Sequence, residues 1–212
     1  MRITKQHHAC VIIDGGSARI LIDPGQLEPR ALLDGVDAVL VTHGHFDHFD
    51  PDLVSDALHR GIPVWAPADV VDVLGECPGL HEAVNGSTFS IGTLTVHVAG
   101  NRHAEVHPHI AGPPNRAYLI NGSVFVTGDE HPLPPDTVST LVTPIDAPWL
   151  RATDLIRYVR IVKPVQVIGV HDGLLNEHGR AVARHCAEAL LNEGVAQASV
   201  PADGETVALN LT

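Results

Sequence analysis

Six consecutive residues constrain this chain more than any other stretch: His43-Gly44-His45-Phe46-Asp47-His48. They follow residues 37–42, Asp-Ala-Val-Leu-Val-Thr, an aliphatic run that reads as a buried strand. In extended backbone, side chains two apart project to one side, so His43 and His45 can reach one cation together. Gly44 is expected to supply backbone freedom for the turn that must come next. Asp47 and His48 then stand at the entrance of a helix starting near Pro51, facing a second cation beside the first. Imidazole nitrogen and carboxylate oxygen are the donor set of zinc, and they also suit iron or manganese. The plain alternative is a histidine-rich surface loop. It is the weaker reading because the cluster sits at a strand exit, where ligands of α/β sheets gather.

The 212 residues show no break in composition, which predicts one domain over residues 1–212 with a substantial core. At 44% hydrophobic residues the chain is not a disordered one. Its 25 acidic against 13 basic residues, a formal charge of −12, argue against a nucleic-acid groove and against docking on anionic lipid. The expected partner is a small-molecule substrate, with the oligomeric state left open. Cys10, Cys77 and Cys186 are an odd, scattered set with no Cys-x-x-Cys pair, read as reduced and mostly buried thiols. No secretory leader follows the basic residues near Met1, and no run of about 18 apolar residues is present to span a bilayer. The expectation is a cytoplasmic protein.

In order along the chain, residues 10–13 and 18–22 form strands about the turn Asp14-Gly15-Gly16-Ser17, and the second strand ends in Asp23-Pro24-Gly25. Asp23 can cap that turn or support a metal ligand from behind. His7 and His8, ahead of the first of these strands, can lie near the site or on the surface, and the surface is the preferred reading. Residues 27–33 are a short helical candidate. Pro51 opens a helix that ends at Gly61, residues 62–65 form a strand, and residues 68–74 form a helix. Strands follow at 88–91, 94–98, 117–120 and 124–127, the last two joined at Asn121-Gly122, then a strand at 138–142. A helix capped by Thr153 stops at Pro164, residues 165–170 form a buried strand, and a helix over 177–192 closes at Gly194. Residues 195–200 and 206–209 add edge strands. Each half begins with antiparallel strands and ends in strand–helix units, which is an α/β (α+β) pattern.

Four of these strand exits carry metal-competent side chains: residues 43–48, His103, Asp129 and His171. Rigid strands hold such groups in place. In order and spacing they resemble the metallo-β-lactamase superfamily, whose hallmark is His-x-His-x-Asp-His after a strand, then a distant His, a Gly-Asp turn and a final His. Ile22-Asp23-Pro24-Gly25 also matches that family's early Asp turn. The resemblance implies a four-layer αββα sandwich with metals along one edge. It implies one metal on His43, His45 and His103, and a second on Asp47, His48 and His171, with Asp129 bridging and Asp23 close by. His103 is taken as the third ligand of the first metal because it lies nearest its strand exit; His107, before Pro108, is the runner-up. Asp rather than Cys at the bridging position departs from the β-lactam-cleaving zinc enzymes. The chain is most similar to the small ascorbate-6-phosphate-lactonase-like branch.

The implied activity is that of a metal-dependent hydrolase. Two divalent ions, zinc before manganese or iron, share a water, and the hydroxide formed from it attacks an ester, lactone or phosphodiester. Asp47 is the residue suited to take a hydrogen bond from that hydroxide and to pass its proton on. No Gly-x-Ser-x-Gly elbow offers a serine alternative. Trp149 is a candidate wall of the substrate groove, while Phe46 and Phe49 are expected to anchor the motif loop by packing. The rival readings are a non-catalytic metal-dependent ligand-binding module and an iron-dependent redox member.

Overall fold

Strands whose alternate residues are all apolar need cover on both faces, and the chain supplies it with two sheets and four helices. In the computed structural model, which describes residues 1–210, each sheet has seven strands. The first contains β1 (Arg2–His7), β2 (Cys10–Asp14), β3 (Arg19–Ile22), β4 (Ala38–Leu40), β5 (Val64–Ala66) and β6 (Leu80–Glu82), side by side in that order. The second contains β7 (Thr88–Ile91), β8 (Leu94–Ala99), β9 (Ala117–Ile120), β10 (Val124–Val126), β11 (Thr140–Pro144), β12 (Gln166–Val170) and β13 (Gln197–Ser199). A last strand, β14 (Thr206–Ala208), returns to the first sheet and pairs antiparallel with β1, Arg2 opposite Ala208. In both sheets the early strands pair antiparallel and the later ones parallel, β3 through β6 and β10 through β13.

Side-chain alternation sorts the strands into layers. Val11, Ile13, Ile20, Ile22 and Leu40 meet Val96, Val98, Tyr118, Ile120, Val126 and Ile168 between the sheets. The intervening residues Ile12, Leu21 and Val39 face outward and pack with Val54, Ala57 and Leu58 of α1 (Pro51–His59) and Val70 of α2 (Ala68–Leu74). On the other side, Leu119, Phe125, Leu141 and Val167 pack with Leu155 and Val159 of α3 (Ala152–Val162) and Ala183 and Ala187 of α4 (Glu177–Ala189). This is the four-layer αββα sandwich expected from the sequence, the fold of the metallo-β-lactamase superfamily. Among the described residues, no helix is long and apolar enough to cross a membrane.

Several local expectations are corrected. Residues 27–33 form no helix: Pro29 has no amide hydrogen to donate, and the Arg30 amide bonds the Glu28 carboxylate at 3.0 Å. Ala31 and Leu33 are buried while Leu32 faces out, the period of extended chain. The helix α3 starts one residue before Thr153, with Arg151 at its N-cap and no side-chain cap bond. Strands β1 and β6 lie where the sequence reading placed none. By contrast, Asp50 caps α1 through bonds to the amides of Asp52 and Leu53, so the helix begins at Pro51 as expected.

Candidate metal centre

The exits of β4, β8, β10 and β12 bring five histidines and two aspartates together. His43, His45 and His103 offer one group of donor atoms, all within 4.8 Å of one another. His48, Asp47 and His171, joined by His8, offer a second, and His43, His48 and Asp129 a third that shares members with both. The structure thus gathers every residue of the anticipated ligand set and adds His8. His103 lies in the cluster and is buried, whereas His107 sits on an exposed turn where its Nδ1 accepts from the His109 amide at 3.2 Å.

Outer hydrogen bonds fix which nitrogen three of these imidazoles present. Asp23, in left-handed backbone at φ 52°, accepts the Thr42 amide at 2.7 Å and the Thr42 hydroxyl at 2.8 Å. It also accepts His48 Nδ1–H at 2.8 Å, which leaves His48 Nε2 as the free donor atom. Thr42 Oγ1 lies 3.0 Å from His43 Nδ1, and with its own hydrogen given to Asp23 it accepts there, so His43 Nε2 is free as well. His103 Nδ1 donates to the Ala104 carbonyl at 2.7 Å, again leaving Nε2. The free Nε2 of His43 is 3.1 Å from His45 Nδ1. Two nitrogens on one tetrahedral zinc stand about 3.3 Å apart.

The centre of the cluster is Asp129. Its Oδ1 is 3.3 Å from His48 Nε2, and its Oδ2 is 3.2 Å from His171 Nε2 and 3.4 Å from His103 Nε2. Burial works against a charge on this carboxyl, but His48 and the neighbouring histidines outweigh it and hold its pKa well below the usual range. The reciprocal holds for His171: burial disfavours its cation, yet Asp129 and Asp47 raise its pKa to about 9. Burial and the adjacent His48 keep His43 well below its ordinary value, and hence neutral. Asp47 is lowered too, against burial, by the neighbouring His171 and His8.

The residues fit a cation. His48 Nε2, His171 Nε2 and Asp129 Oδ1 are buried atoms without a hydrogen-bond partner, and all three point into the cluster. Buried polar atoms are rarely left so, and a convergent trio of nitrogen and oxygen donors is what a divalent ion requires.

The structure departs from the sequence reading at four positions. Gly44 does not use left-handed backbone; its Cα lies against α2, where an added methyl would meet Asp69 Oδ2 at 3.2 Å and Val70 at 3.3 Å. Phe49 is buried as expected, but the Phe46 side chain is 55% exposed and does not join the buried core. His8 takes the alternative place beside the site and not on the surface: it is 1% exposed. His7 is partly buried and bonds Asp203 through Nδ1 at 2.7 Å. Trp149 reaches the cluster with a definite polar contact, its indole N–H donating to Asp129 Oδ2 at 3.0 Å.

A two-sheet sandwich with a histidine–aspartate cluster at the strand exits defines a protein of the metallo-β-lactamase fold with metal-competent side chains. Residues 2–171 match the family model of the beta-lactamase superfamily domain, and the chain belongs to that family. A Mycobacterium tuberculosis relative, Protein Rv0786c, is 30% identical over 193 residues, spanning 86% of this chain and 89% of its own. A UPF0173 metal-dependent hydrolase of Methanosphaerula palustris is 41% identical over 102 residues, 46% of this chain and 44% of the relative. Among solved structures, Igni18, a metallo hydrolase from Ignicoccus hospitalis, superposes with a TM-score of 0.75 over 100% of this chain and 99% of that one, at 17% identity.

Proposed function

We propose that this chain hydrolyses a small-molecule ester, lactone or phosphodiester at a pair of divalent cations, zinc being the ion its donors suit best. His43, His45 and His103 would hold one ion, and Asp47, His48 and His171 the other, with Asp129 between them. The observation that carries this reading is the convergence of the three unpartnered buried atoms, His48 Nε2, His171 Nε2 and Asp129 Oδ1. When bound, such a pair of ions acidifies a water and polarises the oxygen that gains charge during attack.

The chain's own residues supply the rest. Asp23 and Thr42 lock the His48 and His43 rings with Nε2 inward, so the donors are set before any ion arrives. Asp47 is partly open to solvent, its side chain 12% exposed, while its Oδ2 is held 3.2 Å from His8 Nε2 and 3.5 Å from His171 Nε2. A carboxylate kept ionised at the mouth of the site can take the proton of an attacking water and return it to the leaving group. Phe46 and His45, exposed on the motif loop, offer an apolar and a polar contact to the substrate.

The test is elemental analysis of the purified protein together with a screen of lactones, phosphodiesters, thioesters and β-lactams. The reading expects two ions per chain and turnover on one class, lost in Asp47→Ala with the fold intact. Two ions without turnover on any class would favour a binding module.

A further inference from the structure

His8 touches the site from a place the ligand pattern does not include. It sits between β1 and β2, in left-handed backbone at φ 52°, and its ring centroid is 4.0 Å from that of His171. The Gly173 amide donates to His8 Nδ1 at 3.0 Å. A neutral imidazole whose Nδ1 accepts must carry its hydrogen on Nε2. That Nε2 lies 3.2 Å from Asp47 Oδ2, so His8 donates to the carboxylate. As a direct ligand, His8 would have to give up this last hydrogen and become an imidazolate. The backbone repeats the link, since the His171 amide donates to the His8 carbonyl at 3.1 Å.

Space is reserved for this contact. A methyl on Gly173 would stand 2.8 Å from His8 Cβ, 2.9 Å from His7 Nε2 and 3.1 Å from His8 Nδ1, so it would displace the His8 ring and its neighbour. His8 therefore bonds Asp47, from the first half of the chain, and Gly173, which follows His171 in the second half.

We propose that His8 is a positioning residue: by donating to Asp47 while accepting from Gly173, it aims the Asp47 carboxylate and sets it against His171, so that the second cation position is complete only with His8 in place. This rests on the two-cation reading above. Outer partners of metal ligands typically govern affinity by roughly 10–100-fold.

The experiment is titration of the metal-free protein with Zn2+ against a competing chelator, resolving the first and second equivalents, in wild type, His8→Leu, His8→Gln and Gly173→Ala. Thermal melting of each metal-free protein checks folding. The expected result is a second equivalent weakened by roughly 10–100-fold in His8→Leu and Gly173→Ala, with the first unchanged. His8→Gln, whose amide N–H can still reach Asp47, should recover part of the loss. Gly173→Ala keeps the imidazole, so it decides the matter if His8→Leu fails to fold. Unchanged affinities in His8→Leu and Gly173→Ala, equal weakening of both equivalents, or no recovery in His8→Gln would each overturn the role of His8 while leaving the two-cation reading standing. A wild type that takes up fewer than two equivalents would overturn that reading, and the inference with it.

Discussion

Asp23 Oδ2 and His48 Nδ1 are 2.8 Å apart, and both side chains are almost wholly removed from solvent. The same carboxylate accepts two bonds from Thr42, the residue before His43, so one buried acid sets the orientation of two imidazoles. In Asp23→Asn the amide group that replaces one oxygen can only donate, and it faces donors. Metal affinity is expected to fall by roughly 10–100-fold, measured by chelator competition.

Gly25 is packed against the backbone of Asp47. A methyl there would be 2.1 Å from the Asp47 carbonyl oxygen and 2.3 Å from its carbon, and neither belongs to a side chain that can swing away. Gly25→Ala must displace the motif loop. Misplacement of a reacting group by about 1 Å costs on the order of 100-fold in rate. The expected outcome is a loss of that size in kcat, read per folded molecule, with secondary structure retained by circular dichroism.

Removing metal should destabilise the protein, since an ion held by residues from both halves binds the folded chain and not the unfolded one. At a free ion concentration of 100 times Kd the linkage contributes about 2.7 kcal/mol. For a chain of this size each kcal/mol shifts Tm by roughly 2–4 °C. Calorimetry with and without chelator should show the drop and its recovery on adding Zn2+; an unchanged Tm would count against the cage.

Tyr118 of β9, fully buried, donates its hydroxyl to the Val41 carbonyl at 2.7 Å and so ties the second sheet to the chain just ahead of His43. Tyr118→Phe leaves a buried carbonyl without that donor. The expected cost is about 1–3 kcal/mol in denaturant unfolding, with an unchanged m-value.

Much of this architecture was legible in residue order. The nearly unbroken apolar runs at residues 10–13, 18–22 and 117–120 encode strands buried on both faces, since each face meets a different layer, and Asn121-Gly122 marks its hairpin with Asn121 at φ 53° and Gly122 at φ 64°. The ligand candidates were readable because each follows a strand. His8 was not, since its significance lies in a bond to Gly173 across 165 positions, and a lone histidine in a turn carries no periodicity. Phe46 failed for a related reason: it sits in an irregular loop, where neither the 2.0 nor the 3.6 period says which way a side chain points. The segment 27–33 looked helical by residue type, but residues 28–30 are all exposed and burial then alternates over Ala31, Leu32 and Leu33 as in extended chain.

The pairing of β14 with β1 also has a temporal side. Arg2 and Ile3 meet Ala208 and Val207, residues that leave the ribosome long after the rest of the first sheet. Until then the outer edge of β1 stays bare, and its backbone amides and carbonyls await a neighbour. The first sheet therefore gains its outermost strand only when residues distant in sequence, Thr206–Ala208, come back to join it.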